Sequence, residues 1–414
     1  MRTAGERTVP AAGAAAAAFA ALFFAGGELA LGPLVWIGAI ALVPAALALW
    51  QAPAQGRRAA VFLGCLWGLA VWCGLTILWS ASPDTSWGYT NQTLAYAAFA
   101  TLGILIGPQL DRVAAAATVL VAAVVGWALL TKCIPSLYSP PDGVARLRAP
   151  VDEWNMLALV CVAGVPLALW LAQRLRVAGA ILLYASVVAL LLTYSRFGVA
   201  LAILAGVAWV LREDEKVERI ADGIVATAAG AVVALVAASL DGITADRQPH
   251  GVRVHDGWVF LLVLLAGGVA VSLVTVALGR LRLTVQRRRA LERAAAVLAL
   301  LLVVAGLVVA GVESKTLWDS FTKPVAAQTT NTSGHLTQLG SGNRWQWWKE
   351  AWHGFTDHPL GGTGAGTFAF TDLRYRQSTD ISAEEPHNTP LQFLSETGIV
   401  GFLLFLGAVA AALA

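Results

Sequence analysis

Long runs of apolar residues, separated by short polar or basic stretches, make up most of the chain. A helix that spans a bilayer needs about 20 mostly apolar residues, so each long run predicts a membrane-spanning helix. The pattern predicts twelve of them, near residues 11–26, 29–50, 59–80, 87–108, 114–134, 155–173, 177–194, 196–212, 221–240, 258–279, 294–311 and 391–414. The expected fold class is therefore an all-α membrane protein whose first eleven helices lie within residues 1–311.

The longest polar segment, residues 312–390, precedes the last predicted helix, 391–414. Its turn-rich part, 328–334, is expected to be mobile, whereas 343–355 is expected to be helical. An aromatic face at helical spacing supports this helix, and it comprises Trp345, Trp348, Trp352 and Phe355. Asn343 and Gln346 have the spacing of a capping box. The aromatic face is expected to pack on the membrane domain or to lie in the bilayer interface. The apolar pattern continues to Ala414, so the interpretation that the chain is a fragment stays open.

Composition supports a lipid environment for most of the protein. The 414 residues are 58% hydrophobic and only 13% charged, whereas soluble domains carry about 25% charged residues. A soluble enzyme and a disordered chain are both excluded by these values. The net charge of +3 does not indicate nucleic-acid binding. The four cysteines form no metal-binding spacing, so no metal site and no cofactor are expected.

The distribution of Lys and Arg predicts the orientation of the helices, because basic residues are enriched in cytoplasmic loops. With the N-terminus in the cytoplasm, 16 of the 28 Lys and Arg residues fall in inside segments. Six fall in short outer segments and six in 312–390. All six histidines then lie on the outer side, which is where we expect the chemistry.

Two groups of polar residues on the outer side are candidates for a site. Arg196 begins a predicted helix, and an Arg at such depth either reaches to lipid headgroups or binds an anion within the helix bundle. Arg146 and Arg148, in a short outer loop, are expected to join it if an anion binds there. His387 and Asn388 precede Pro390, which opens the last helix, and Glu396 lies inside that helix. His387 is either a catalytic base or a solvated loop residue.

A glycine-rich run, Gly361–Gly366, looks like a phosphate-binding loop. It lacks the preceding strand and the following Lys-Ser/Thr pair of a nucleotide loop, so nucleotide binding is not expected. We interpret it as a flexible turn that re-enters the membrane domain, with backbone N–H groups that are able to meet an anion.

Several motifs together resemble the O-antigen ligase and O-antigen polymerase superfamily. They are Thr193–Gly198 (TYSRFG), Gly342–Trp345 (GNRW), His358–Phe368 (HPLGGTGAGTF), His387–Gln392 (HNTPLQ) and Glu396–Gly401 (ETGIVG). The predicted helices and the long outer segment before the last helix are also similar to that superfamily.

The resemblance implies a GT-C-like, multi-pass glycosyltransferase of the bacterial inner membrane with a site facing the periplasm. Such enzymes transfer a glycan from undecaprenyl pyrophosphate, without a metal and with inversion, to a lipid A core sugar (ligases) or to another carrier-linked glycan (polymerases). The resemblance assigns pyrophosphate binding to Arg196 and Arg344 and the catalytic base to His387. Arg146, Arg148, Asn388 and Glu396 are supporting candidates. A secondary transporter is the alternative, although the chain shows no two similar halves and no run of ionisable residues deep in its helices.

Overall fold

The computed structural model describes residues 56–106, 110–140, 142–212, 216–280, 314–323, 341–377 and 382–413, together with residues 286, 290 and 293. Across these ranges the regular structure is helical, and no strand occurs. The all-helical fold class is therefore confirmed. The predicted helices at 11–26, 29–50 and 294–311 and the polar run at 328–334 lie outside the described residues.

Thirteen α-helices are described, and nine of the predicted spanning helices have a counterpart among them. In chain order they are α1 (Arg57–Thr76), α2 (Pro83–Ile106), α3 (Leu110–Cys133), α4 (Trp154–Ala172), α5 (Arg176–Leu192), α6 (Arg196–Arg212), α7 (Lys216–Ala238), α8 (Asp241–Thr244), α9 (His250–Arg280), α10 (Ser314–Thr322), α11 (Arg344–Asp357), α12 (Phe368–Tyr375) and α13 (Thr389–Leu413).

Six segments of the described chain are long and apolar enough to span a membrane, and they lie in α1, α3, α4, α7, α9 and α13. The apolar helices Arg176–Leu192 and Arg196–Trp209 are shorter. These segments support a multi-pass membrane protein, whereas the number twelve stays a prediction.

The main core lies among α3, α4, α5, α7 and α9. Its fully buried residues include Val124, Leu157, Val188, Ala226 and Phe260. Close approach of backbones, which small residues allow, drives helix association in membranes. At Gly179, for example, an added Cβ would lie 2.5 Å from the Ala168 carbonyl oxygen of the neighbouring helix.

A second group consists of α1, α2 and α13. The Trp72 indole of α1 donates to the Thr397 carbonyl of α13 at 2.8 Å. The Trp67 indole of α1 donates to the Thr101 hydroxyl of α2 at 3.2 Å. These bonds satisfy the polar atoms of two large side chains inside the bundle, and the Trp72 bond ties the last helix to α1.

The aromatic face of α11 packs on α10. The Trp345 and Trp318 rings lie 5.2 Å apart, and those of Trp348 and Phe321 lie 5.5 Å apart. The predicted capping box at the start of α11 was wrong. Asn343 has a left-handed backbone, with φ of 72°, and its side chain makes no capping hydrogen bond. The Gln346 amide instead donates to Glu350, one turn further along.

The helix predicted to start near residue 258 begins earlier, at His250, so His250 and His255 lie in helix α9 and not in a loop. Asp256 lies in this added part of the helix and has two partners. Its carboxylate accepts from the backbone nitrogen of Gly242 at 2.7 Å and pairs with the His255 ring at 2.9 Å. Apolar periodicity within a segment cannot predict the partner Gly242, which lies in the separate helix α8.

Candidate active site

Arg146 is held at the junction of α4, α5 and α6. It is only 7% exposed, and its Nε donates to the Thr193 carbonyl at 2.9 Å. Its guanidinium lies 4.3 Å from the centre of the Trp154 ring, within the range of a cation–π interaction. The backbone nitrogen of Leu147 donates to the Leu192 carbonyl at 3.0 Å. The loop that carries Arg146 is therefore fixed to the end of α5.

Arg196 is placed by a hydrogen-bond network at the start of α6. The Ser195 hydroxyl donates to the Asn155 side-chain oxygen at 3.0 Å and accepts from the Gly198 nitrogen at 3.3 Å. It thereby joins the first turns of α4 and α6. Tyr194, with φ of 54°, makes the sharp turn between α5 and α6. These contacts hold the Arg196 backbone beside the Arg146 loop.

Arg344, the first residue of α11, belongs to the same electrostatic neighbourhood. Burial lowers the pKa of Arg146 to about 10, and the charges of Arg196 and Arg344 act in the same direction. Partial burial, and then the charge of Arg196, lower the pKa of Arg344, although its side chain remains exposed at one edge. We refer to Arg146, Arg196 and Arg344 as the arginine cluster. Three like charges that act on one another favour an anionic ligand, because an anion relieves their repulsion.

Glu153 is an acid whose charge acts on this cluster, and sequence reasoning missed it. Its charge opposes the lowering of the pKa of both Arg146 and Arg344. It also caps α4, since its carboxylate accepts from the Met156 nitrogen at 2.6 Å and from the Asn155 amide at 3.1 Å. The sequence did contain a signal for Glu153, because an acidic residue directly before the first turn of an apolar helix is a candidate helix cap.

His387 lies next to the arginine cluster, just before α13. Its ring is 5.3 Å from that of Trp347, and the Trp348 indole donates to the Pro386 carbonyl at 3.0 Å. Partial burial and the charge of Arg344 lower the pKa of His387 below its usual 6.5, although its side chain keeps an exposed surface, and the charge of Glu385 opposes this shift. The backbone φ of 51° is left-handed, a conformation that residues other than glycine adopt at an energetic cost and often at functional sites.

Two supporting candidates have structural partners of their own. The Arg148 guanidinium binds Asp142 in a bidentate ion pair at 2.6 and 3.0 Å and lies 3.5 Å from Asp152. Arg148 therefore has acidic partners of its own, and its supporting role beside Arg196 stays a prediction. Asn388 caps α13, since its side-chain oxygen accepts from the Leu391 nitrogen at 3.2 Å.

Glu396 binds the glycine-rich segment and is almost fully buried, with 3% exposure. Its carboxylate accepts from the backbone nitrogens of Gly366 at 2.8 Å and Phe368 at 3.2 Å. The acceptor that this segment meets is therefore an internal one, the Glu396 side chain. An added Cβ at Gly362 would lie 2.2 Å from the backbone of Glu396. The expected flexible turn does re-enter the bundle, but it is closely packed, and its glycines are required by that packing.

The comparison with known families agrees with the motifs. Residues 257–406 match the family model described as O-antigen ligase. The superfamily resemblance is therefore confirmed over this part of the chain. That family implies a glycosyltransferase-type enzyme of O-antigen assembly. The matched range contains Arg344 and His387, whereas Arg146 and Arg196 precede it. No curated protein and no solved structure matches the chain.

Proposed function

We propose that this O-antigen ligase-type protein transfers a glycan from an undecaprenyl-pyrophosphate carrier to the hydroxyl of an acceptor sugar at the periplasmic face of the bacterial inner membrane. The observation that carries the proposal is the meeting of the arginine cluster with His387. It brings a site suited to a polyanion next to a group able to take up a proton.

The arginine cluster binds the pyrophosphate in this proposal, with Arg196 and Arg344 as the main ligands and Arg146 in support. Guanidinium groups remain protonated and bind phosphate oxygens through two parallel hydrogen bonds. When the glycosidic bond breaks, the bonding electrons stay with the carrier pyrophosphate. The fixed positive charges stabilise that growing negative charge, so the step needs no metal ion.

His387 acts as the base. The acceptor oxygen attacks the anomeric carbon while the imidazole takes the hydroxyl proton, and the carrier leaves from the opposite face, so the configuration inverts. The lowered pKa of His387 keeps the imidazole neutral, and hence able to accept a proton, at neutral pH. The general-base contribution is about 10²- to 10⁴-fold.

The acceptor separates the two versions of this function. In the ligase version it is a sugar of the lipid A core, and in the polymerase version it is another carrier-linked glycan. A secondary transporter is a weaker alternative, because its site would lie near the bilayer midplane, whereas the arginine cluster lies at helix ends.

Reconstitution tests the proposal directly. The purified protein in nanodiscs is given a carrier-linked glycan together with either lipid A core or a second carrier-linked glycan. We expect transfer to one acceptor, an inverted anomeric centre by NMR, and no effect of EDTA. Retention of configuration, or no transfer to either acceptor, would contradict the proposal.

A further inference from the structure

A second cationic site lies beside the arginine cluster. A cavity of about 70 Å³ lies between the segment 138–149 and the segment that joins α8 to α9. Five basic residues line it, and no acidic residue does: Lys132, Arg146, Arg148, Arg247 and Arg253. Arg146 is thus shared between this cavity and the arginine cluster.

Nearby acids neutralise only part of this charge. Asp142 is engaged by Arg148 in the bidentate pair. Asp246 accepts from the backbone nitrogen of Ala145 at 2.8 Å. In the part of the chain that the structure describes, the Arg247 guanidinium has no hydrogen bond or ion pair. The Arg253 guanidinium has one hydrogen bond, to the Tyr138 carbonyl at 3.3 Å. The cavity therefore keeps donors and positive charge that its own walls do not use.

The walls of the cavity are tied together, so the backbone segments that carry the cationic groups have fixed positions. The Lys132 ammonium donates to the carbonyls of Ala145 and Ile243, one on each wall, the latter at 2.7 Å. The backbone nitrogen of Arg247 donates to the Gly143 carbonyl at 2.8 Å. Because these backbone segments are already ordered, ligand binding loses less conformational entropy at this site.

The position of the cavity indicates the class of ligand. Lys132 is in the last turn of the spanning helix α3, and Arg253 is in the first turn of α9. Helix ends of this kind lie at the depth of lipid headgroups, where phosphate is the common anion. Several cationic donors on fixed walls suit phosphate oxygens.

We propose that this cavity binds a phosphate group carried by a lipid, next to the site for the donor pyrophosphate. The lipid is either the acceptor, in which case the inference rests on the proposed function, or a phospholipid of the bilayer. Binding to Arg247 and Arg253 is common to both sources.

A titration of the purified full chain in neutral detergent tests the binding. The probe is dihexanoyl phosphatidic acid, and dihexanoyl phosphatidylcholine is the neutral control. We expect the double variant Arg247→Gln/Arg253→Gln to bind phosphatidic acid about tenfold more weakly than wild type, since each lost bond is charge-assisted. Arg247→Gln alone, which removes no described bond within the protein, should show part of the loss. Arg374→Gln, on the exposed surface of α12, should show none.

Kinetics in the same variants distinguish the two sources. An acceptor phosphate predicts an increase of about tenfold in the acceptor KM, with kcat and the donor KM unchanged. A bilayer phospholipid predicts weaker lipid binding with the acceptor KM unchanged. Equal affinity of wild type and both variants for phosphatidic acid, or equal wild-type affinity for phosphatidylcholine, overturns the inference. Because binding is measured without a glycan, intact binding with no transfer would refute the proposed function alone.

Discussion

The Glu396 carboxylate accepts a hydrogen bond from the Gly366 backbone nitrogen at 2.8 Å, which joins the last helix to the glycine-rich segment 30 residues before it. Helix α13 is interrupted at Gly398, with φ of 64° and ψ of −167°. At this break the Ile399 nitrogen donates to the Pro359 carbonyl at 2.9 Å, and the Glu396 carbonyl accepts from Gly364 at 2.8 Å. The glycine-rich segment and Pro359 thus supply hydrogen-bond partners to the backbone at the break in α13. These contacts hold the first part of α13, which begins two residues after His387.

Glu396→Gln should destabilise the protein, because the amide turns two N–H donors toward a site built from backbone N–H groups. Loss of a charge-assisted bond and a poorly paired buried donor cost about 2–3 kcal/mol. Thermal unfolding of the purified protein measures this effect. Glu384→Gln, at an exposed position, is the matched control. Equal melting temperatures for the two variants would contradict the anchoring role of Glu396.

Arg196→Lys and Arg344→Lys should each lower transfer at least about tenfold, although both keep the positive charge. Lysine lacks the planar fork that binds two phosphate oxygens at once. The measurement is kcat/KM for the carrier-linked donor, and Arg374→Lys on α12 is the control. Wild-type rates in both Arg196→Ala and Arg344→Ala would show that these residues do not bind the pyrophosphate.

His387→Asn should reduce transfer about 10²-fold or more while the protein stays folded. Asn tolerates the left-handed backbone better than Ala does, so this change removes the base without adding strain at φ of 51°. His353 and His358 are rival bases, but His353 stacks on Tyr375 at 5.4 Å. Asn at either rival position should cost less. If His358→Asn is inactive and His387→Asn is active, the base is His358, at the end of α11, and not His387.

The sequence predicted the helices well because apolar length and periodicity are local properties. Motif resemblance and the order of the helices also predicted that Arg196, Arg344 and His387 lie on the same side of the membrane. The sequence could not predict which charges are neutralised. Arg146 and Arg148 look equivalent in the sequence, yet the first contacts Thr193 and Trp154, and the second pairs with Asp142. Loop conformation decides that difference.

The partners of Glu396 were equally inaccessible to sequence reasoning. A carboxylate in an apolar helix signals a polar partner or a wet cavity, and this general expectation is met by two backbone nitrogens. Nothing in the local pattern identifies a glycine-rich segment as that partner. The glycines instead resemble a phosphate loop, because both cases need backbone N–H groups close to an anion.

The charges around His387 predict how its pH dependence responds to substitution. In the proposed mechanism transfer requires the neutral imidazole, so the rate should fall as the pH drops through the pKa of His387, which lies below 6.5. Glu385 raises this pKa and Arg344 lowers it. Glu385→Gln removes a negative charge and should therefore lower the pKa, moving the acidic limb of kcat/KM to lower pH. Gln also retains an acceptor for the Tyr89 hydroxyl, which donates to Glu385 at 3.0 Å.

Arg344→Gln should move the same limb to higher pH, because it removes the positive charge that disfavours the imidazolium. The position of the limb is independent of the overall rate, so it can be measured even though Arg344→Gln is slow. Glu384→Gln, one residue from Glu385, should leave the limb in place. General destabilisation would shift the acidic limb of the two variants in the same direction or leave it in place. Opposite shifts of this limb in Glu385→Gln and Arg344→Gln are therefore specific to the charges around His387. Shifts in the same direction would show that the titrating base is a group other than His387.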